Sequence, residues 1–367
     1  MNKFIKFIAL AVCLLSQPAW AKEFDKPLTT MIVVNNQSRL ASPAGVSAKF
    51  LLPSRKMVTL MNIKLTSTQK QHLNEASHIQ QIAESDANLT IDLPRRADRG
   101  MNGTPVLDQG MHGTCVTFAN TAAIDALLGK GDYVSELCNL QLGTLLEQKS
   151  YLPSGWKGSF GPIVLNQMLG FGIINKVNQV KISCGGLRDY PRGNPDYLGD
   201  PMSLDEYRQS SEDISGKLYW DPLLTFTQRM QWNSQSLAQA SALLNEVKKT
   251  LATKTPWNDS RLTFATLLPV NHCSAGACAR YHAEDDTWAL TKSIAQDQDA
   301  EIGGHEMVIT GYDDDAVAID NEGNKHQGLL ILRNSWGSDA GDQGNYYMAY
   351  DFFKVYVAEV QKIVIEK

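Results

Sequence analysis

The stretch Asp108-Gln109-Gly110-Met111-His112-Gly113-Thr114-Cys115 (DQGMHGTC) ends on a cysteine and runs straight into VTFANTAAIDALLGKG. In that continuation Phe118, Ala119, Ala122, Ala123, Ala126 and Leu127 recur at helical spacing, and Gly129 and Gly131 end the run. Such small side chains predict a helix packed closely against its neighbours. Cys115 would stand on its first turn, where free N–H groups and the positive end of the helix dipole favour a thiolate. A cysteine ahead of an alanine-rich helix is also an ordinary packed thiol. The rest of the chain has to decide between the two.

The chain has 367 residues, 43% of them hydrophobic, enough for one large domain and a smaller one. It opens with MNKFIK, an apolar FIALAVCLLS and Ala19-Trp20-Ala21, which together read as a signal peptide cleaved after Ala21. The expectation is an exported protein, secreted or periplasmic, with no membrane span. A lipoprotein anchored through Cys13 has only a poor lipobox in Leu10-Ala11-Val12. The formal net charge of −5 argues against a nucleic-acid partner. Once Cys13 leaves, Cys115, Cys138, Cys184, Cys273 and Cys278 remain. In an oxidising compartment an odd number leaves one thiol over.

Residues 22–94 differ in character from the rest of the chain. AGVSAKFLL (44–52), a turn at Pro53-Ser54-Arg55-Lys56 and MVTLMNIKL (57–65) predict a β-hairpin. Thr66 and Gln69 are spaced as a capping box for a helix over 67–85, with a narrow stripe of Leu73, Ala76, Ile79 and Ile82. The join LPRRADRG (93–100) predicts an exposed linker open to proteases at Arg95 to Arg99. Helices are expected over 161–174 and 236–254. Strands are expected in RLTFATLLPV, HEMVITGY, GLLILRN, YYMAYDFF and EVQKIVIE. Helices first and strands later is an α+β order.

A thiolate nucleophile wants an imidazole to take its proton, and the imidazole wants a hydrogen-bond acceptor to orient it. His305 leads GGHEMVITGYDDD and Asn334 lies in LLILRNSWGSDAGDQGNYYMAY, each beside glycines at the end of an apolar strand. Gln109 supplies a side-chain amide that, with the Cys115 N–H, could bind an oxyanion.

These three blocks, DQG-x-x-G-x-C, GGH-x-x-x-x-x-GYD and RNSWG-x-x-x-G-x-x-GNYY, resemble the papain family of cysteine peptidases over roughly residues 93–350. The resemblance implies an α+β, papain-like two-domain fold: a helical left domain with the central nucleophile helix and a β-barrel-like right domain, preceded by the hairpin-plus-helix pro-segment. It implies Cys115 as nucleophile, His305 as general acid/base, Asn334 as orienting residue, Gln109 in the oxyanion hole and Trp336 as the indole shielding the His305–Asn334 bond. It places Gly158, Ser159 and Phe160 in the substrate groove, and pairs Cys138 with Cys184. Cys273 and Cys278 read as a local disulfide, although His272, Cys273, Cys278 and His282 are also zinc-ligand types.

The chain departs from the family pattern at His112, which stands where a disulfide cysteine is usual and reads as a rim residue, and at Val116, where a tryptophan is usual. Glu306 is expected to raise the pKa of the neighbouring imidazole. Cys115 and His305 are 190 residues apart, against about 130 to 150 in the mature papain pattern, so an insertion is expected around 187–235, shaping one side of the cleft. The resulting organisation is a signal peptide (1–21), an inhibitory pro-segment (22–94) and a peptidase domain (95–367). The expected activity is that of an exported cysteine endopeptidase made as a zymogen. It would use no cofactor and no metal, act on protein or peptide substrates as a monomer, and be blocked by its own pro-segment. A thioester-forming transferase or amide synthase, or a catalytically silent binding protein, are the alternatives.

Overall fold

The computed structural model describes residues 27–34, 54–82, 93–193, 196–253 and 259–366. The signal peptide and the strand expected over 44–52 lie outside the described residues.

The first described elements are an antiparallel strand pair, β1 (Leu28–Val34) and β2 (Ser54–Asn62), followed by α1 (Ser67–Ile82). Ser54, Arg55 and Lys56, read from sequence as part of a turn, instead lie in β2 and pair with Val34, Val33 and Ile32. Alternation explains the outcome: Val58 and Leu60 face inward with Ile32, all fully buried, and that face extends the strand back to Ser54. The capping box forms, with the Gln69 N–H donating to Thr66 Oγ1 and the Thr66 N–H to Gln69 Oε1. Next comes β3 (Arg96–Asp98), which pairs with a later strand.

A helical half follows: α2 (Cys115–Leu128), α3 (Glu136–Gln148), α4 (Gly161–Phe171), α5 (Lys176–Ile182) and α6 (Leu204–Ser210). Every residue of α2 from Cys115 to Leu127 is buried, as its small side chains require, and Gly129 closes it in the left-handed conformation. A disulfide between Cys138 and Cys184, Cα atoms 5.1 Å apart, ties α3 to the chain after α5.

The sheet half contains β4 (Leu218–Leu224), α7 (Phe226–Arg229), α8 (Leu237–Ala252), β5 (Ser260–Pro269), β6 (Ala279–Arg280), β7 (Thr287–Trp288), α9 (Lys292–Gln296), β8 (Ile302–Asp320), β9 (Lys325–Arg333), β10 (Asn345–Ala349), α10 (Tyr350–Tyr356) and β11 (Val357–Ile365). Tyr350 to Phe353, read as strand, form the first turn of α10. Phe352 and Phe353 within that turn are fully buried. The sheet order is β4-β11-β5-β8-β6-β7-β10-β9, and β9 pairs again with β8, which closes a barrel-like ring. The 19-residue β8 is the hub of this ring, pairing along its length with β2, β5, β3, β9 and β6. The fold is α+β with a helical and a sheet half, as expected from the sequence.

The segment read as an open linker is held to this hub. Arg95 is ion-paired with Asp315, β3 lies along Asp313 to Gly311, and the Arg99 guanidinium is buried. Arg99 donates to the Leu251 and Thr250 carbonyls at 2.9 and 2.7 Å and pairs with Asp259 at 3.1 Å. A protease attacking Arg99 would first have to peel β3 from β8.

Candidate active site

The helical and sheet halves meet where Cys115 opens α2 and His305 lies near the start of β8, opposite Thr266 of β5. Asn334 follows β9 directly, its N–H bonded to the Gly344 carbonyl at 3.1 Å. Cys115 and His305 line one cavity, together with Gly158, Ser159, Phe160 and Met61.

His305 Nε2 lies 2.9 Å from Asn334 Oδ1, and the same oxygen accepts the Ser335 N–H at 2.7 Å. A backbone N–H can only donate, so that atom of the Asn334 amide must be its oxygen, and His305 must carry its proton on Nε2. His305 Nδ1 is buried without a partner. This tautomer leaves a proton-accepting nitrogen turned away from Asn334. The Trp336 indole stacks on the imidazole at 4.5 Å and 21° and is itself fully buried.

Burial lowers the His305 pKa to about 4, with the Asn334 bond pulling the other way. Burial likewise pushes the Cys115 thiol up to about 12, against the lowering effect of the Glu306 and Val116 N–H groups. The helix N-terminus alone predicts a low value, and desolvation outweighs it here. Both groups are therefore neutral near pH 7. Glu306 does not act on the imidazole as the sequence suggested. Successive residues of a strand face opposite sides, and its carboxyl accepts from Asn120 Nδ2 of α2 at 2.7 Å. Burial, then the nearby Glu359 charge, holds Glu306 well above the usual carboxylate range.

Gln109 is fully buried and clamped at both ends of its amide. Ser335 Oγ donates to its Oε1 at 2.7 Å, and its Nε2 donates to the His112 carbonyl at 2.8 Å. One amide hydrogen is thus committed within the loop. His112 is not a rim residue. It is 4% exposed, packed edge-on against Trp156 and Tyr190, with Nε2 2.5 Å from the Pro191 carbonyl.

The N-terminal strand that also lines the cavity, through Met61, carries no motif in the sequence. Met61 and Asn62 of β2 pair with Gly304 and Gly303, and the Ile63 N–H donates to the Ile302 carbonyl at 2.8 Å. A Cβ on Gly303 would stand 2.8 Å from Leu60 Cδ1, so the glycine pair before His305 is what lets β2 approach. Lys56 reaches down beside the site, 2.6 Å from Asp108 Oδ1 and 3.1 Å from the Trp336 carbonyl. The segment 187–235 supplies two flanks: Phe226 lines the cavity and packs on Phe160 at 5.2 Å, while Tyr190 to Arg192 abut the loop before Cys115.

Cys273 and Cys278 are disulfide-bonded, Cα atoms 5.3 Å apart, and among the described residues Cys115 is the free thiol. His272 bonds to Asp297 at 2.8 Å and His282 to Asp342 at 2.9 Å, so these four residues do not converge as ligands. Among the described residues no group of three or more candidate ligands is gathered for a metal, and no helix is long and apolar enough to cross a membrane.

Residues 285–367, which include His305 and Asn334, match the Peptidase C1-like family. Solved structures similar to the chain include xylellain, a cysteine protease from Xylella fastidiosa, at 15% identity and a TM-score of 0.42 over 75% of this chain and 87% of that one. The Amb a 11 cysteine protease of ragweed pollen, in its proform, is 16% identical with a TM-score of 0.44 over 80% of this chain and 75% of its own. Digestive procathepsin L 3 of Tenebrio molitor is 16% identical with a TM-score of 0.41 over 84% of each chain. No curated protein matches the chain. The chain resembles the papain-like cysteine peptidases, through the family match over residues 285–367 and through its three sequence blocks.

Proposed function

We propose that this chain is an exported papain-like cysteine endopeptidase, held latent by its own N-terminal segment. The observation that carries the reading is the His305 tautomer: Nε2–H is spent on Asn334, which leaves a bare, buried Nδ1 on a residue that lines the same cavity as Cys115.

In the proposed reaction the Cys115 thiol gives its proton to His305 Nδ1, and the thiolate attacks the peptide carbonyl carbon. The Cys115 N–H and the Gln109 amide stabilise the oxyanion. Collapse of the tetrahedral intermediate breaks the C–N bond, and the imidazolium protonates the departing amine. His305 then takes a proton from water, whose oxygen attacks the thioester carbonyl carbon, and as the C–S bond breaks to release the acid it returns that proton to the sulfur. Asn334 holds the ring in plane throughout, and Trp336 keeps water from competing for that bond.

Latency follows from desolvation. With Met61 and Ile63 over the cavity, a thiol near 12 and an imidazole near 4 stay neutral. Displacing β2 would admit water, lower the one pKa and raise the other, and allow the thiolate–imidazolium pair. Residues 22–94 are assigned as this cover, residues 95–367 as the peptidase domain, and residues 1–21 as the signal that exports it.

Product analysis with peptides, with and without added amines, tests the reading. Hydrolysed fragments are expected. Transfer to the amine as the main product would make the chain a transferase, and neither product from a freed, reactive Cys115 would remove the enzyme reading.

A further inference from the structure

The loop that carries Gln109 to Cys115 is held on two sides, and only one of them adjoins Asn334. On the first side Ser335, next to Asn334, accepts the Gln109 N–H at 2.8 Å and donates its hydroxyl to the Gln109 amide at 2.7 Å. On the second side stands Tyr190-Pro191-Arg192, at the start of the insertion.

Tyr190 Oη donates to the Gln109 main-chain carbonyl at 2.9 Å and lies 2.8 Å from Thr114 Oγ1. A phenol has one hydrogen, and Gln109 takes it, so Thr114 must donate to Tyr190. One hydroxyl therefore bridges both ends of the six-residue turn from Gln109 to Thr114. The Arg192 carbonyl accepts the Met111 N–H at 3.0 Å, and the Pro191 carbonyl faces His112 Nε2 at 2.5 Å. The Tyr190 ring is sandwiched: Trp156 stacks on it at 5.7 Å and 12°, Phe118 of α2 meets it edge-on at 5.0 Å, and His112 meets it edge-on at 5.8 Å. Burial raises the Tyr190 pKa beyond the working range, so the hydroxyl keeps its hydrogen.

We propose that Tyr190 is a positioning residue: it sets the Gln109 peptide and the Thr114–Cys115 turn in the geometry that oxyanion stabilisation needs, so the insertion is part of the catalytic framework. The inference rests on the proposed roles of Gln109 and Cys115. Tyr190 touches no reacting atom and acts only through that loop. Errors of a fraction of an ångström in an oxyanion donor are costly because its benefit is realised in the transition state.

The test compares the full chain, processed as it is when exported, with Tyr190→Phe, which keeps the stacked ring and removes the bridge. Asp189→Ala is the control, since the Asp189 side chain is exposed and none of the bonds to the loop uses it. Hydrogen exchange of the peptide covering residues 107–118 reads the loop without needing activity, and steady-state kinetics read the chemistry. Tyr190→Phe is expected to speed exchange of that peptide and to lower kcat about five- to tenfold, with KM and the iodoacetamide rate of Cys115 unchanged, because alkylation forms no oxyanion. Asp189→Ala is expected to match the parent. Equal exchange and equal kcat in Tyr190→Phe would overturn the proposal, as would a parallel fall in alkylation and kcat. A parent chain that alkylates at Cys115 yet cleaves no peptide would instead sink the peptidase reading. The exchange result would then decide by itself whether Tyr190 braces the loop.

Discussion

Met61 fills the space that a side chain on Gly158 would need: a Cβ there would lie 2.6 Å from Met61 Cβ and 2.8 Å from its sulfur. Gly158 also has φ +125°, a conformation that L-residues rarely adopt. Gly158→Ala should therefore destabilise the full chain by about 2 kcal/mol, from backbone strain and overpacking together. It should also loosen β2 over the cavity, so that Cys115 alkylates faster in the variant. Urea denaturation and an iodoacetamide time course check the two effects, and unchanged stability would show that β2 does not press on Gly158.

Lys56 fastens the same strand from its other side. Its ammonium pairs with Asp108 and donates to the Trp336 carbonyl, with about a quarter of each charged side chain exposed (22% and 24%). Lys56→Met removes both bonds while keeping the aliphatic stem. The expected loss, discounted for solvent screening, is about 1 kcal/mol, which corresponds to roughly fivefold faster labelling of Cys115 if opening of the cover limits the rate. Raising the salt concentration should speed labelling of the parent and leave the variant largely unchanged.

In the proposed mechanism Asn334, bonded to His305 Nε2, orients a ring that would otherwise rotate or change tautomer. Asn334→Ala should lower kcat of the activated protein by about ten- to a hundredfold with little change in KM, because the lost bond matters most when the imidazole is charged. An unchanged kcat would remove Asn334 from the mechanism.

His326 offers a pH test remote from the site. Burial alone would lower its pKa, but Asp351, at 2.5 Å, and Asp320, at 3.2 Å, outweigh burial and raise it to about 9. The folded state then holds a proton that the unfolded chain releases near its ordinary value of about 6.5. The stabilisation is complete below that value and is lost as pH rises through 9. A difference of up to about 3 kcal/mol between the parent and His326→Gln should shrink over this window. Urea midpoints at pH 6 and pH 9.5 measure it, and a difference that does not vary with pH would contradict the assignment.

Much of the architecture was legible because it is local. The small-residue run after Cys115, the Thr66–Gln69 cap and the apolar strands around His305 and Asn334 each satisfy one element's own periodicity. The errors came where tertiary packing chose. Ser54 to Lys56 joined β2 because Ile32 of a distant strand supplied a partner face. Arg96 to Asp98 became a strand because β8 has a free edge there. Tyr350 to Phe353 wound into a helix that buries two phenylalanines. The site blocks were readable as a candidate chemistry, and the structure brings their Cys115, His305 and Asn334 to one place. The cover by Met61, the turning of Glu306 toward Asn120 and the desolvated pKa values of Cys115 and His305 depend on neighbours far away in sequence, which no spacing encodes.

Whether Cys115 is a nucleophile paired with His305 and masked by the N-terminal segment can be read in one experiment. Peptide mapping by mass spectrometry after treatment with a peptidyl epoxide is applied to the full chain and to the chain whose N-terminal segment has been cut and dissociated. A single adduct on Cys115 is expected, absent from the full chain, present after release and lost again in His305→Ala. A released chain whose Cys115 titrates as a free thiol yet takes no epoxide, or labels equally well without His305, would refute the masked nucleophile.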